Sequence, residues 1–244
     1  MLSKSQIKAC YRRKDWPLLP EPINVRVKFQ KIGDLQYISH LDLQRTLHRI
    51  LVRAGIPMWY TKGFNPHAKI VFSTPLSVGA QSICEMVDIR IDRDMPCEEI
   101  KRLLNMEVTE ELRILDVYVP TTKFSDIIWA GYEIEIHEKG IASACQSISD
   151  VLKANKILAI KKTKSGEKEV DLLPLIQDFS IKEPQEHDCI HINTVLCIES
   201  DRYLNPELLL SVIKEKTGIL KTDEAWYSIL RTSTFLADGK TYFQ

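Results

Sequence analysis

The sequence predicts an α+β protein of two ferredoxin-like (split βαβ) halves with antiparallel sheets. Three observations carry this expectation. Short stretches alternate apolar and polar residues with the period of a half-buried strand, as in Ile23-Asn24-Val25-Arg26-Val27-Lys28-Phe29. Between them lie stretches whose apolar residues recur at helical spacing. The order of elements, strand, helix, strand, strand, helix, strand, then restarts after Pro120.

A basic leader, residues 1–22, precedes a first half at 23–120 and a second at 129–236. The first strand, 23–29, runs into a Gly33-Asp34 turn. Ser39 is placed to cap a helix, and Asp42 puts a negative charge near its positive end. From His40 onward Leu43, Leu47, Ile50, Leu51 and Ala54 follow helical spacing, and Gly55 with Pro57 stops the helix. Short strands are expected at 57–61, 69–74 and 84–91, a helix at 95–105 and a strand at 113–119. In the second half the pattern gives a strand at 132–137, a helix at 141–153 and a strand at 157–163. The turn Lys164-Ser165-Gly166-Glu167 leads into 168–172. A strand at 189–198, a helix at 206–217 and a strand or short helix at 226–235 complete it.

Of the 244 residues 44% are hydrophobic and 27% charged, which fits a folded globular protein and excludes a mostly disordered one. The formal net charge is zero, but residues 1–84 hold thirteen Lys and Arg against four Asp and Glu. This half therefore suits contact with an anion. Six cysteines, without CxxC spacing, point to reduced thiols. With no signal-like or membrane-length apolar run, the expected location is the cytoplasm, with no membrane partner. HExxH, phosphate-loop, dinucleotide and GxSxG patterns are absent, and no cysteine lies beside an evident base. No metal, cofactor or catalytic residue is expected.

Two basic segments stand out. Arg45, Arg49 and Arg53 fall four apart on one helix, with His48 beside them. Then Lys62-Gly63-Phe64-Asn65-Pro66-His67-Ala68-Lys69 combines cations, a ring and a glycine, after Trp59 and Tyr60. Cations for phosphates and rings for bases are what single-stranded nucleic acid requires. A solvated helix back and core aromatics are the plainer explanations. The expected RNA- or anion-binding residues are Arg45, Arg49, Lys62, Phe64, Asn65, His67 and Lys69, gathered in one cleft between helix and loop. His40 and Asp42 form a candidate polar site. The lysines from Lys161 to Lys168 read either as a soluble hairpin or as a second phosphate contact.

The segment from Phe29 to Gly79, FQKIGDLQYISHLDLQRTLHRILVRAGIPMWYTKGFNPHAKIVFSTPLSVG, resembles the radical-SAM-linked family. These are uncharacterised bacterial proteins encoded beside a radical SAM protein or fused to its C-terminus. The shared core includes Phe29, Lys31, Gly33, Ile38 to Leu43, Arg45, Arg53 to Pro57, Gly63 to His67 and Lys69. The later run KKTKSGEKEVDLLPLI resembles the family's second motif, with Leu173 where the family carries arginine. The likeness implies a radical SAM partner and no reaction. Element order and the basic helix are also similar, at fold level, to ferredoxin-like RNA-binding proteins of the CRISPR repeat-associated type. The leading expectation is an RNA-binding accessory protein that presents RNA to a radical SAM enzyme. The alternatives are a subunit that docks on the radical SAM protein without touching nucleic acid, an enzyme using His40, Asp42 and His67, and a binder of small anions.

Overall fold

The computed structural model describes residues 16–163, 166–182 and 188–243. Most of the basic leader, and Lys164 and Ser165 of the expected hairpin turn, lie outside them. The chain divides into two compact units, the first ending at Phe124 and the second spanning Ser125–Phe243. Among the described residues, no helix is long and apolar enough to cross a membrane.

Unit 1 contains β1 (Leu18–Lys31), α1 (His40–Arg53), β2 (Ile70–Phe72), β3 (Gln81–Arg93), α2 (Cys97–Asn105) and β4 (Ile114–Tyr118). Its strands lie in the order β4-β1-β3-β2 with antiparallel neighbours, the arrangement of a split βαβ unit. Strand alternation sends Val25, Val27 and Phe29 of β1 and Val87, Ile89 and Ile91 of β3 into one core. The α1 stripe of Leu43, Leu47, Ile50 and Leu51 fills the same core. Intervening residues face the other way: Asn24 sits opposite Arg90 and Arg26 opposite Asp88.

Ser39 caps α1. Its hydroxyl accepts from the Asp42 amide at 3.2 Å and donates to Asp42 Oδ2 at 2.7 Å. That bond, and then the one from Arg45, holds the Asp42 carboxyl below the usual carboxylate range. A depressed carboxyl stabilises the fold above its unfolded pKa and loses that contribution as pH falls through the folded value. Ser39→Ala is expected to cost about 1 kcal/mol in thermal or urea unfolding. Unchanged stability would mean that the cap is idle.

Unit 2 contains β5 (Trp129–His137), α3 (Cys145–Leu152), β6 (Leu158–Thr163), β7 (Gly166–Asp171), β8 (Ile176–Lys182), β9 (Cys189–Cys197), α4 (Pro206–Thr217) and β10 (Trp226–Phe235). Its strands lie in the order β10-β5-β9-β8, again antiparallel. Counting only the four strands of this sheet, the fourth, first, third and second are neighbours in that order, as in unit 1. Strands β6 and β7 pair with each other as a separate two-stranded sheet.

Three expectations need correction. The strand expected at 57–61 is reduced to single bridges, Met58 to Ile91 and Tyr60 to Ala68, because Pro57 brings no amide hydrogen to a ladder. The first strand begins at Leu18, inside the expected leader, with a register shift between Leu18 and Ile23 where Pro20 and Pro22 interrupt the alternation. In unit 2 the edge strand of the main sheet is β8, not 157–163. A register shift between Ile176 and Asp178 breaks the period of two there, so Ile176 falls out of phase with Phe179 and Ile181.

Candidate nucleic-acid interface

On the unit 1 sheet face opposite α1 lies a cleft of about 570 Å³, within the size range of ligand sites. Four pieces of chain build it. Strands β1 and β3 supply Asn24 and Arg90, the approach to β2 supplies Lys69, and the segment 119–124 after β4 supplies Lys123. Exposed Ile23, Val71 and Val119 give it apolar walls.

Arg26, fully buried, ties this face together. Its Nε and Nη2 donate to the two Asp88 carboxylate oxygens at 2.7 and 2.9 Å. Nη1 donates to Thr122 Oγ1 at 2.9 Å and Nη2 to the Thr122 carbonyl at 3.0 Å. The guanidinium also lies 4.2 Å from the Phe124 ring centroid. Asp88, the carboxylate lining the cleft, is thus committed to Arg26, and the cations Lys69, Arg90 and Lys123 line the same cleft. Arg90 is held over the Trp59 ring at 4.9 Å and donates to the Pro22 carbonyl.

The loop leading into Lys69 is closed at its base by Thr61 and His67. The Thr61 amide donates to the His67 carbonyl at 3.0 Å, and the His67 amide to Thr61 Oγ1 at 3.1 Å. Gly63 takes φ +140°, a backbone state that favours glycine. Phe64 is 108% exposed, so it belongs to no core. Lys62, Asn65 and His67 are exposed beside it.

The sequence-predicted residues do not all meet. Ile70 and Phe72 pack toward the α1 core, so Lys69 and Val71 point to the opposite face. Arg45 and Arg49 are exposed on α1, across the sheet from Lys69. The expected convergence of helix arginines and Lys69 in one cleft is therefore absent. Arg45 contacts Asp42 at 3.2 Å, both side chains more than half exposed, a pair of small energetic weight. Arg53 reaches Glu107 at 2.7 Å.

His40 bonds Gln44 at 2.8 Å and sets its ring edge against Phe72. Asp42 bonds Ser39 and Arg45, and His67 bonds Thr61. These networks are separate, and no bond joins the three residues. Among the described residues, no group of three or more His, Cys, Asp or Glu is arranged to hold a metal ion. Lys161 Nζ donates to the Tyr203 carbonyl at 3.2 Å. A smaller cleft in unit 2, about 230 Å³, carries Glu133 and Asp178, carboxylates that repel a phosphate.

Residues 24–206 match a family described as an uncharacterised protein conserved in bacteria, DUF2344. The chain belongs to that family. No curated protein matches this DUF2344 chain. Among solved structures, it is similar to a chain in the crystal structure of a Cbf5-Nop10-Gar1 complex, with a TM-score of 0.51 and 10% identity. That likeness covers 86% of the DUF2344 chain and 48% of the other, so the chain spans about half the length of this match. A structure of an unknown protein from Galdieria sulphuraria, also 10% identical, aligns over 86% of this chain and 99% of that one at a TM-score of only 0.26. At such identity the first likeness speaks to the fold alone, and it agrees with the antiparallel α+β architecture.

Proposed function

We propose that this DUF2344 protein is an RNA-binding accessory protein that works with a radical SAM enzyme. The observation that carries the RNA reading is the unit 1 cleft, where Lys69, Arg90 and Lys123 stand around apolar walls and Asp88 is neutralised by Arg26. Phosphates suit the cations, and a base face suits the apolar wall or the bare Phe64 ring. The radical SAM partner rests on the resemblance of the segment from Phe29 to Gly79, and the RNA would be held for that partner's chemistry.

Salt titration with a single-stranded oligoribonucleotide tests the RNA role. Each phosphate contact contributes a log-log slope of about −0.7 for single strands, so three cations predict roughly −2. Absence of binding at about 50 mM salt, where phosphate contacts are strong, overturns it. If a stable complex with the radical SAM protein is then recovered, the protein is a docking subunit. A missing complex overturns the partnership separately.

A further inference from the structure

Unit 2 holds a cluster that RNA binding does not use. Pairing of β5 with β9 sets Glu135 opposite His191 and His137 opposite Cys189. Their neighbours Ile134, Ile136, Ile190 and Ile192 are all core, so the four polar side chains share the other face. Cys189 Sγ lies 3.4 Å from His191 Nε2 and 3.6 Å from His137 Nε2. The second nitrogen of His191, Nδ1, is 3.3 Å from Glu135 Oε1, while Glu135 Oε2 is 3.7 Å from His137 Nε2. His137 stacks on Trp226 with centroids 3.9 Å apart and planes at 8°. Cys189 is itself only 5% exposed, but the side chains of His137 and His191 are 30% and 41% exposed. The imidazoles that contact the sulfur therefore lie at the protein surface and not in the core.

We propose that Cys189 is a base-activated thiol, deprotonated by His191 with Glu135 as the orienting carboxylate, and that it accepts a mixed disulfide from a low-molecular-weight disulfide. Glu135 Oε1, 3.3 Å from Nδ1 of His191, favours the tautomer that keeps its hydrogen on Nδ1 and leaves the Nε2 lone pair for the thiol. His191 takes the thiol proton. The thiolate attacks one sulfur of the disulfide, forming the Cys189–sulfur bond and breaking the original S–S bond. The departing thiolate takes the proton from His191. Cys189 is oxidised to the mixed disulfide, and half of the reagent is reduced to a thiol.

Among the described residues, other charged groups near the cluster include Glu133, two residues along β5; Lys182, opposite His191 in register; and Asp188, whose carboxylate accepts from the Gly140 amide at 2.7 Å. Elsewhere the setting is different. Burial pushes the Cys97 and Cys145 thiols up, and the carboxylates of Glu98 and Asp116 push Cys97 further. Cys84 and Cys197 are buried.

The test is reaction of the full chain with 5,5′-dithiobis(2-nitrobenzoate), an aromatic disulfide that releases one coloured thiolate per mixed disulfide. Peptide mass spectrometry locates each adduct. Cys189 is expected to react at least ~10-fold faster than Cys97 or Cys145 at neutral pH. His191→Gln and Glu135→Gln should slow it about 10-fold near pH 7, with the deficit closing at a pH above the ordinary thiol value of about 8.5. Both replaced side chains are well exposed, so the variants should stay folded. If Cys189 reacts no faster than Cys97, or if His191→Gln leaves its pH profile unchanged, the proposal fails.

Discussion

Replacing Arg26 with alanine is expected to lower the unfolding free energy by about 3–5 kcal/mol, read as a fall in urea midpoint at unchanged slope. Arg26 is fully buried, yet it lies on the sheet face turned away from the hydrophobic core. Its fork satisfies both Asp88 oxygens, at 2.7 and 2.9 Å, and both acceptors of Thr122. Truncation leaves the Asp88 carboxylate, whose side chain is 18% exposed, without its guanidinium. It also releases the 119–124 segment that walls the cleft. Removing one partner of a buried pair costs more than removing both. The double variant Arg26→Met with Asp88→Leu should therefore recover part of the loss. A single-variant loss below about 1 kcal/mol would show that the pair does not hold this face together.

Elements with clean periods and clear stops were the legible part of the fold. The α1 stripe and its end at Gly55, which takes φ +74°, follow from apolar spacing and helix-stop chemistry. The order of elements in unit 1 was legible for the same reason. Strand β8 was hidden because its register shift places Ile176 and Phe179 three apart. Residues 158–171 alternate well enough to be strands, but alternation does not name a partner, and β6 and β7 pair only with each other.

The charge that marks the candidate site was legible, whereas its placement was not. Which way Lys69 points depends on Ile70 and Phe72 facing α1, and that needs the sheet register. No motif in the sequence marks Arg26, Arg90 or Lys123. One signal was available for the first: the polar face of β1 reads Asn24, Arg26, Lys28, a basic stripe within a strand. Cys189 gave no such signal. Its base His191 is two residues away, His137 and Glu135 lie on another strand, and only the pairing of β5 with β9 joins them.

Reversing Lys69 and Lys123 together is expected to weaken single-stranded RNA binding roughly 100-fold at low salt, about 10-fold for each charge. Both side chains are exposed at the cleft rim, so thermal stability should change little. The salt slope should flatten by about 1.4, two contacts at 0.7 each. Arg49→Glu supplies the internal control. Its position on α1, across the sheet from Lys69, predicts an affinity within about threefold of the parent, and a tenfold loss there would move the site to the helix. Phe64→Ala separates stacking from charge: it should cost about 1–3 kcal/mol of binding with the salt slope intact. If the Lys69→Glu, Lys123→Glu protein binds RNA like the parent while Arg49→Glu does not, the cleft is not the phosphate track and the arginine face of α1 is.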